Sequence, residues 1–117
     1  MAIDIQALAK LRELVGGSDA DLAELIDSFL DEAPATMNSL VLALEQAEVN
    51  GVRRAAHTLK SNAKDMGAVD LAEISAAIEA LCADGTLPSS EDVQKATVAL
   101  NDAVVELKRF VGKEPLL

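Results

Sequence analysis

His57 is the side chain best suited to chemistry, and it is the only histidine among the 117 residues of this chain. A neutral imidazole has a nucleophilic ring nitrogen and can exchange a proton near neutral pH. A helix through this segment would turn several polar side chains to the same side as the histidine. These side chains are Arg53, Arg54, Lys60, Ser61 and Lys64. We predict that His57 faces water on a basic surface, although this spacing also fits an ordinary solvated histidine.

The opposite side of the same segment is apolar. Steps of four and three residues separate its apolar side chains, which predicts the buried stripe of a helix. They are Val52, Ala56, Leu59, Ala63 and Met66. Gly67 follows them directly, and glycine readily adopts the left-handed conformation that ends a helix.

The distribution of charge singles out this segment. Residues 51–66 carry four cationic side chains and one carboxylate, a balance of +3, in a chain of net charge −10. The remainder therefore carries −13, which argues against nucleic acid or an anionic membrane as a partner. The basic segment is either a solvated helix face or a site for an anionic group at His57.

The sequence lacks the elements of most other sites. It has no glycine-rich phosphate loop, no tyrosine or tryptophan for stacking, and no second histidine. Cys82 is the only cysteine, so we expect a buried small side chain and no disulfide. We therefore expect no metal and no cofactor.

The sequence also offers no sign of a membrane segment. No apolar run approaches the roughly 20 residues that span a bilayer, and the first residues do not resemble a secretory leader. We therefore expect a cytoplasmic protein.

The motif segment resembles histidine-containing phosphotransfer (HPt) domains, which carry phosphoryl groups between response-regulator receiver domains. The pattern is His-x-Leu-Lys-(Gly/Ser)-x-Ala-x-x-x-Gly-Ala, and the matching residues are His57, Leu59, Lys60, Ala63, Gly67 and Ala68. The likeness extends to Phe29 and to residues 71–74. Ser61 stands where glycine is the commonest residue of the family.

The resemblance implies that this chain is a phosphoprotein of a two-component phosphorelay. It would use no ATP of its own and would act as a phosphocarrier, not as an enzyme. His57 would accept a phosphoryl group from a receiver aspartate and pass it to another receiver. Lys60 would stabilise the phosphoryl oxygens. Arg53, Arg54 and Lys64 would steer the receiver, and Ser61 would donate a hydrogen bond or leave room.

The resemblance also implies the partners. They are response-regulator receiver domains, with a hybrid histidine kinase as one source of such a domain, and the receiver would supply Mg²⁺ and the catalytic geometry. The chain is expected to be a monomer. The alternative is a helical adaptor that binds a receiver or a histidine kinase without accepting phosphate, for which Ser61 is the motivating residue.

Composition and periodicity predict an all-α fold. Half of the residues are hydrophobic and 2% are aromatic, which favours packed helices. We predict one domain over 1–117, an up-and-down antiparallel four-helix bundle with a short extra N-terminal helix. The predicted helices span about 5–15, 19–48, 51–66, 68–83 and 90–111, followed by a loose tail at 114–117.

The continuity of the second helix and the buried face of the fourth helix have to be inferred from the apolar spacing. In the second, an apolar stripe continues through Pro34 as far as Leu44 and Ala47, which favours one long helix kinked near 30–34 over two helices. In the fourth, the apolar spacing predicts four inward side chains. They are Leu71, Ile74, Ile78 and Leu81.

The resemblance implies that receivers dock over the motif helix and the long helix before it. Exposed apolar side chains between Phe29 and Met37, together with Thr58, are therefore candidates for the docking surface. Phe29 itself is predicted to lie in the core.

Overall fold

The computed structural model describes residues 2–112, and these residues form five α-helices and no β-strand. The helices are α1 (Ile5–Leu14), α2 (Asp19–Glu45), α3 (Val49–Met66), α4 (Val69–Ala83) and α5 (Ser90–Phe110). The predicted tail at 114–117 lies outside the described residues.

Four of the helices form a closed ring. Each of α3 and α4 packs against the helix before it and the helix after it, and α5 also packs against α2. The connections are short, so successive helices run antiparallel. Because α1 packs against α2 and α3, the all-α four-helix bundle with an extra N-terminal helix is confirmed. Within residues 2–112, no helix combines the length and the hydropathy that a bilayer span requires.

Side-chain caps define the starts of three helices. Ser18 accepts hydrogen bonds from the N–H groups of Ala20 and Asp21 at the start of α2. Ser89 and Asp92 form a reciprocal capping box at the start of α5. Asp4 caps α1 through its carboxylate. Each cap of this kind contributes about 1 kcal/mol, because it satisfies an N–H group that has no partner within the helix.

The long helix α2 continues through Pro34, so the chain does not divide into two helices there. The predicted kink stays a prediction. The helix ends at Glu45, whereas the sequence predicted about 48. Ala47 adopts a left-handed φ of 57° and is exposed. Ala43 is buried at the position of the stripe that was predicted for Leu44, and Leu44 is half-buried. The sequence did not indicate this helix end, because alanine and not glycine occupies the left-handed position.

Gly67 joins the end of the motif helix to the N-terminal segment. Its φ is 72°, and its carbonyl accepts a hydrogen bond from the Asp4 N–H at 2.8 Å. A Cβ at this position would lie 2.6 Å from the Asp4 carbonyl oxygen and 2.8 Å from the Ala7 Cβ. The segment cannot retreat freely, because Ile3 is buried and its N–H donates to Glu106 of α5.

We therefore expect Gly67→Ala to lower the free energy of unfolding by about 2 to 4 kcal/mol. The left-handed conformation accounts for about 1 to 2 kcal/mol, and the steric overlap with the N-terminal segment accounts for the rest. Urea denaturation would measure the loss. Gly85→Ala is the matched control, because Gly85 has a φ of 81° and no atom would lie within 4 Å of a Cβ added there. Equal losses in the two variants would contradict the packing argument.

The predicted inward face of α4 is partly wrong. Leu71 and Ile78 are buried as predicted, but Ile74 is half-buried and Leu81 is 37% exposed. The buried stripe is completed by small side chains, namely Ala72, Ser75 and Cys82. Because α4 is apolar around most of its circumference, periodicity did not define which side faces the core. The helix is therefore rotated about its axis relative to the prediction.

Candidate functional site

The motif helix α3 has the two-sided character that the sequence predicted. Its apolar stripe is buried, and the side chain of His57 is 62% exposed on the other side. Arg53, Arg54 and Lys64 are exposed as well, and Lys60 is half-buried. The buried stripe consists of Val52, Ala55, Ala56, Leu59, Ala63 and Met66. The histidine is therefore held on a rigid element with its ring toward solvent.

A carboxylate of the neighbouring helix α4 joins His57 to Lys60. Glu79 Oε2 lies 2.6 Å from His57 Nδ1, and Glu79 Oε1 lies 2.5 Å from Lys60 Nζ. The side chains of Glu79 and Lys60 are only 20% and 24% exposed, so both contacts are partly shielded from water. One carboxylate thus positions the ring and the ammonium group at the same time.

The two contacts lower the pKa of Glu79 below its ordinary value of 4.5. The hydrogen bond from Lys60 is the largest cause, and it is helped by the hydrogen bond from His57, whereas burial acts in the opposite direction. The carboxylate is therefore ionised at neutral pH.

An ionised carboxylate only accepts hydrogen bonds, which determines the tautomer of His57. Nδ1 must donate its proton to Glu79, so in the neutral ring Nε2 has no proton and keeps its lone pair. Nε2 is then the nucleophilic atom of the site. The ring is prepared to attack an electrophile that approaches from solvent.

The lowered pKa predicts how the Glu79 contacts depend on pH. Because the folded-state pKa lies below the unfolded value of 4.5, the contribution to stability is fully present above pH 4.5 and disappears as the pH falls through the folded-state pKa. We expect a contribution of at most about 1 kcal/mol from this partly exposed group. Urea unfolding of His57→Gln and of His57→Gln/Glu79→Gln across the acid range would measure the part that Lys60 contributes, without titration of the imidazole. A difference that grows as the pH falls would contradict the assignment.

The predicted binding residues fall into two sets. Arg53 and Arg54 line an open depression of about 610 Å³ together with His57 and Glu79. Ser61 and Lys64 are exposed on the next turns of α3 and do not line this depression. The structure therefore places Arg53 and Arg54 beside the histidine and joins Lys60 to it through Glu79, whereas Ser61 and Lys64 lie one and two turns further along α3.

The expected apolar docking surface on α2 is not present where it was predicted. Phe29, Ala33 and Met37 are all buried, and they belong to the core stripe of α2. Leu30 is half-buried against the core. The prediction that Phe29 lies in the core is correct, but the span from Phe29 to Met37 offers no exposed large apolar side chain. Thr58 is exposed beside His57.

Glu79 is the functional residue that the sequence interpretation missed. It lies 22 residues after His57 and on another helix, so no local spacing connects the two. A correct choice of the buried stripe of α4 would have indicated it, because Glu79 follows Ile78 and faces α3 when Leu71, Ser75, Ile78 and Cys82 are buried. The counter-ion of Lys60 became apparent only in the structure, where this side chain is 24% exposed.

Comparisons with known proteins bear on the family and the fold. The family model described as Hpt domain matches residues 24–110. The fold is similar to the crystal structure of histidine-containing phosphotransfer protein B from Pseudomonas aeruginosa, with a TM-score of 0.87, 23% sequence identity and 97% of each chain covered. A comparison with curated protein sequences found no significant match.

Proposed function

This chain belongs to the Hpt domain family, and from that premise we propose that it is a phosphorelay intermediate that carries a phosphoryl group on His57. It would accept the group from the aspartate of one receiver domain and transfer it to the aspartate of another. Hpt proteins are phosphocarriers and not classical enzymes, so the chain would return to its starting state after each round.

The observation that carries this proposal is the contact between His57 Nδ1 and the Glu79 carboxylate. It leaves Nε2 as the exposed nucleophile. The Nε2 lone pair would attack the phosphorus of the receiver's aspartyl phosphate, forming the N–P bond while the bond to the aspartate oxygen breaks. The aspartate leaves as a carboxylate, and no proton need be removed from the ring.

The product of this step is a ring that bears a positive charge and keeps its Nδ1 proton. Glu79 would stabilise that charge through the same hydrogen bond. Lys60 has three N–H donors, so it could keep its contact with Glu79 and also donate to a phosphoryl oxygen. The site would thus favour the phosphorylated histidine without any rearrangement of the backbone.

We propose that the receiver supplies the remainder of the catalytic machinery. Its Mg²⁺ would neutralise the phosphoryl oxygens and hold the in-line geometry. Arg53 and Arg54, which line the depression around His57, would steer the acidic rim of the receiver. Lys64 would contribute to the long-range attraction, and Ser61 would leave room for the approaching phosphoryl group. The donor receiver could belong to a hybrid histidine kinase.

The direct test is phosphoryl transfer from a receiver to the chain and from the chain to a second receiver. The chain would be incubated with a ³²P-phosphorylated receiver and Mg²⁺, purified, and then mixed with a second receiver. We expect label that is acid-labile and alkali-stable, as an N–P bond requires, followed by its passage to the second receiver. EDTA should block both transfers because the metal belongs to the receiver.

Profiling against the receivers of the same genome at short times would identify the partners. Absence of label on the chain with every phosphorylated receiver would overturn the proposal. Receiver binding without label, also in Ser61→Gly, would replace it with the adaptor function. We propose that the carrier acts in the cytoplasm as a monomer, and sedimentation of the purified chain would test the latter.

A further inference from the structure

A groove on the α4–α5 face of the bundle has no role in the site described above. It consists of two adjoining depressions of about 530 Å³ each, which share Ile74 and Lys95. Aliphatic side chains from both helices form its floor. They are Ile74, Ala77, Leu81, Val98 and Ala99.

The groove is a consequence of which side of α4 faces the core. Packing Ser75, Ile78 and Cys82 into the core leaves Ile74 and Leu81 on the side toward α5. Leu81 is 37% exposed, and Val98 on α5 is 53% exposed. Exposed aliphatic side chains on two neighbouring helices add little to the stability of the bundle itself, because they stay in contact with water. Such a surface is typical of a binding site for an amphipathic helix.

The rim of the groove is strongly acidic. Six carboxylates line it against a single lysine, Lys95, which lies 4.0 Å from Glu91. The carboxylates are Asp70, Glu73, Asp84, Glu91, Asp92 and Asp102. The charge is opposite to that of the surface around His57, which carries Arg53 and Arg54. A partner that fits the groove must therefore be basic where it meets the rim.

The length of the groove sets the size of the segment that fits. It extends along α4 from Asp70 to Asp84. At 1.5 Å per residue this corresponds to about 21 Å, or roughly four turns of a helix. A helix of that length can place one aliphatic stripe on the floor and basic side chains on both flanks.

We propose that the α4–α5 groove binds a basic amphipathic helix of a partner protein. Glu79 lies on the side of α4 that faces His57, whereas the groove lies on the side of α4 that faces α5. Since α3 and α5 do not pack against each other in the described ring, a helix in the groove would leave His57 accessible. The chain could then hold this partner while a receiver docks over α3. The groove proposal does not depend on phosphoryl transfer.

The test uses a synthetic peptide of about 14 residues, with leucines at helical spacing and lysines on both flanks. Fluorescence anisotropy of the labelled peptide would give its affinity for the full chain. A scrambled peptide of the same composition keeps the charge and loses the apolar stripe. We expect the scrambled peptide to bind at least about tenfold more weakly, since charge alone would then hold it.

Two matched variants locate the binding site. Val98→Lys places a cation in the groove, and Leu42→Lys adds the same charge on α2, where Leu42 is 54% exposed. We expect about tenfold weaker peptide binding for Val98→Lys and a change of less than about twofold for Leu42→Lys, because only the first repels the peptide at close range. Phosphoryl acceptance by His57 should be unchanged in Val98→Lys, because Val98 lies outside the depression around His57.

Three results would overturn the proposal. The first is equal binding of the two peptides, and the second is an equal effect of the two variants. Either result would mean that the peptide binds only through non-specific attraction to the acidic protein. The third is a dimer of the chain that dissociates in Val98→Lys, since the occupant of the groove would then be a second copy. Amide chemical shifts that move along α4 and α5 when the peptide binds would support the proposal.

Discussion

The variant His57→Gln is expected to fold like the natural chain and to accept no phosphoryl group. The imidazole is 62% exposed, so its replacement should change the free energy of unfolding by no more than about 0.5 kcal/mol. The glutamine amide can still accept or donate a hydrogen bond near Glu79, but its nitrogen is not a nucleophile. Incubation with a phosphorylated receiver and Mg²⁺ should leave the variant without acid-labile label.

A companion variant separates chemistry from docking. Lys64→Gln removes a charge from the same helix without touching the depression around His57. We expect it to accept label with a rate within about threefold of the natural chain, because a rim charge mainly affects the encounter rate. Label retained in His57→Gln would assign the phosphoryl group to another residue. Complete loss in Lys64→Gln would mean that docking, and not the nucleophile, had been disturbed.

Glu79→Ala is expected to slow phosphoryl acceptance by about tenfold or more. A hydrogen bond to an ionised group contributes about 1.5 to 3 kcal/mol, and about 1.4 kcal/mol corresponds to a tenfold change in rate. Without the carboxylate, the ring can rotate, the proton of the neutral ring can move to Nε2, and Lys60 loses its partner. Single-turnover transfer from a phosphorylated receiver would measure the rate.

Glu79→Gln is the matched variant, because its side-chain oxygen can still accept the Nδ1 proton but carries no charge. We expect a loss of about threefold, between the natural chain and Glu79→Ala. Nitrogen NMR of the imidazole should show the Nε2–H tautomer increasing in Glu79→Ala and not in Glu79→Gln. Receiver affinity should be the same in the two variants, because both lack the carboxylate charge. An equal rate in all three proteins, or an unchanged tautomer in Glu79→Ala, would show that Glu79 does not position the ring.

The local properties of the motif helix followed from the sequence. The apolar residues from Val52 to Met66 repeat at helical spacing, so the exposure of His57 could be predicted without any knowledge of the other helices. Gly67 adopts the left-handed conformation that was predicted to end the helix, although its second constraint, the close approach of Asp4, is a contact across 63 residues that no local pattern contains. The capping residues Ser18 and Ser89 were predictable for the same local reason.

Predictions failed where several arrangements have similar local energies. Ala47 ends α2 in a conformation that glycine usually supplies, so the chemical signal for the end was absent. In α4, apolar residues surround most of the helix, and both Ile74 and Ser75 could have faced the core. In the structure, α4 packs between α3 and α5 with the smaller side chain, Ser75, in the core.

The sequence by itself determined the helical class, the polarity of α3 and the nucleophile that this polarity exposes, because these properties repeat within a few turns of one helix. Only the tertiary structure decided the rotation of α4 about its axis, since that rotation depends on contacts with two other helices. The same rotation brings Glu79 to His57 Nδ1 and turns Ile74 and Leu81 into the groove beside α5. The partner of the histidine and the second surface of the protein thus have a single physical origin.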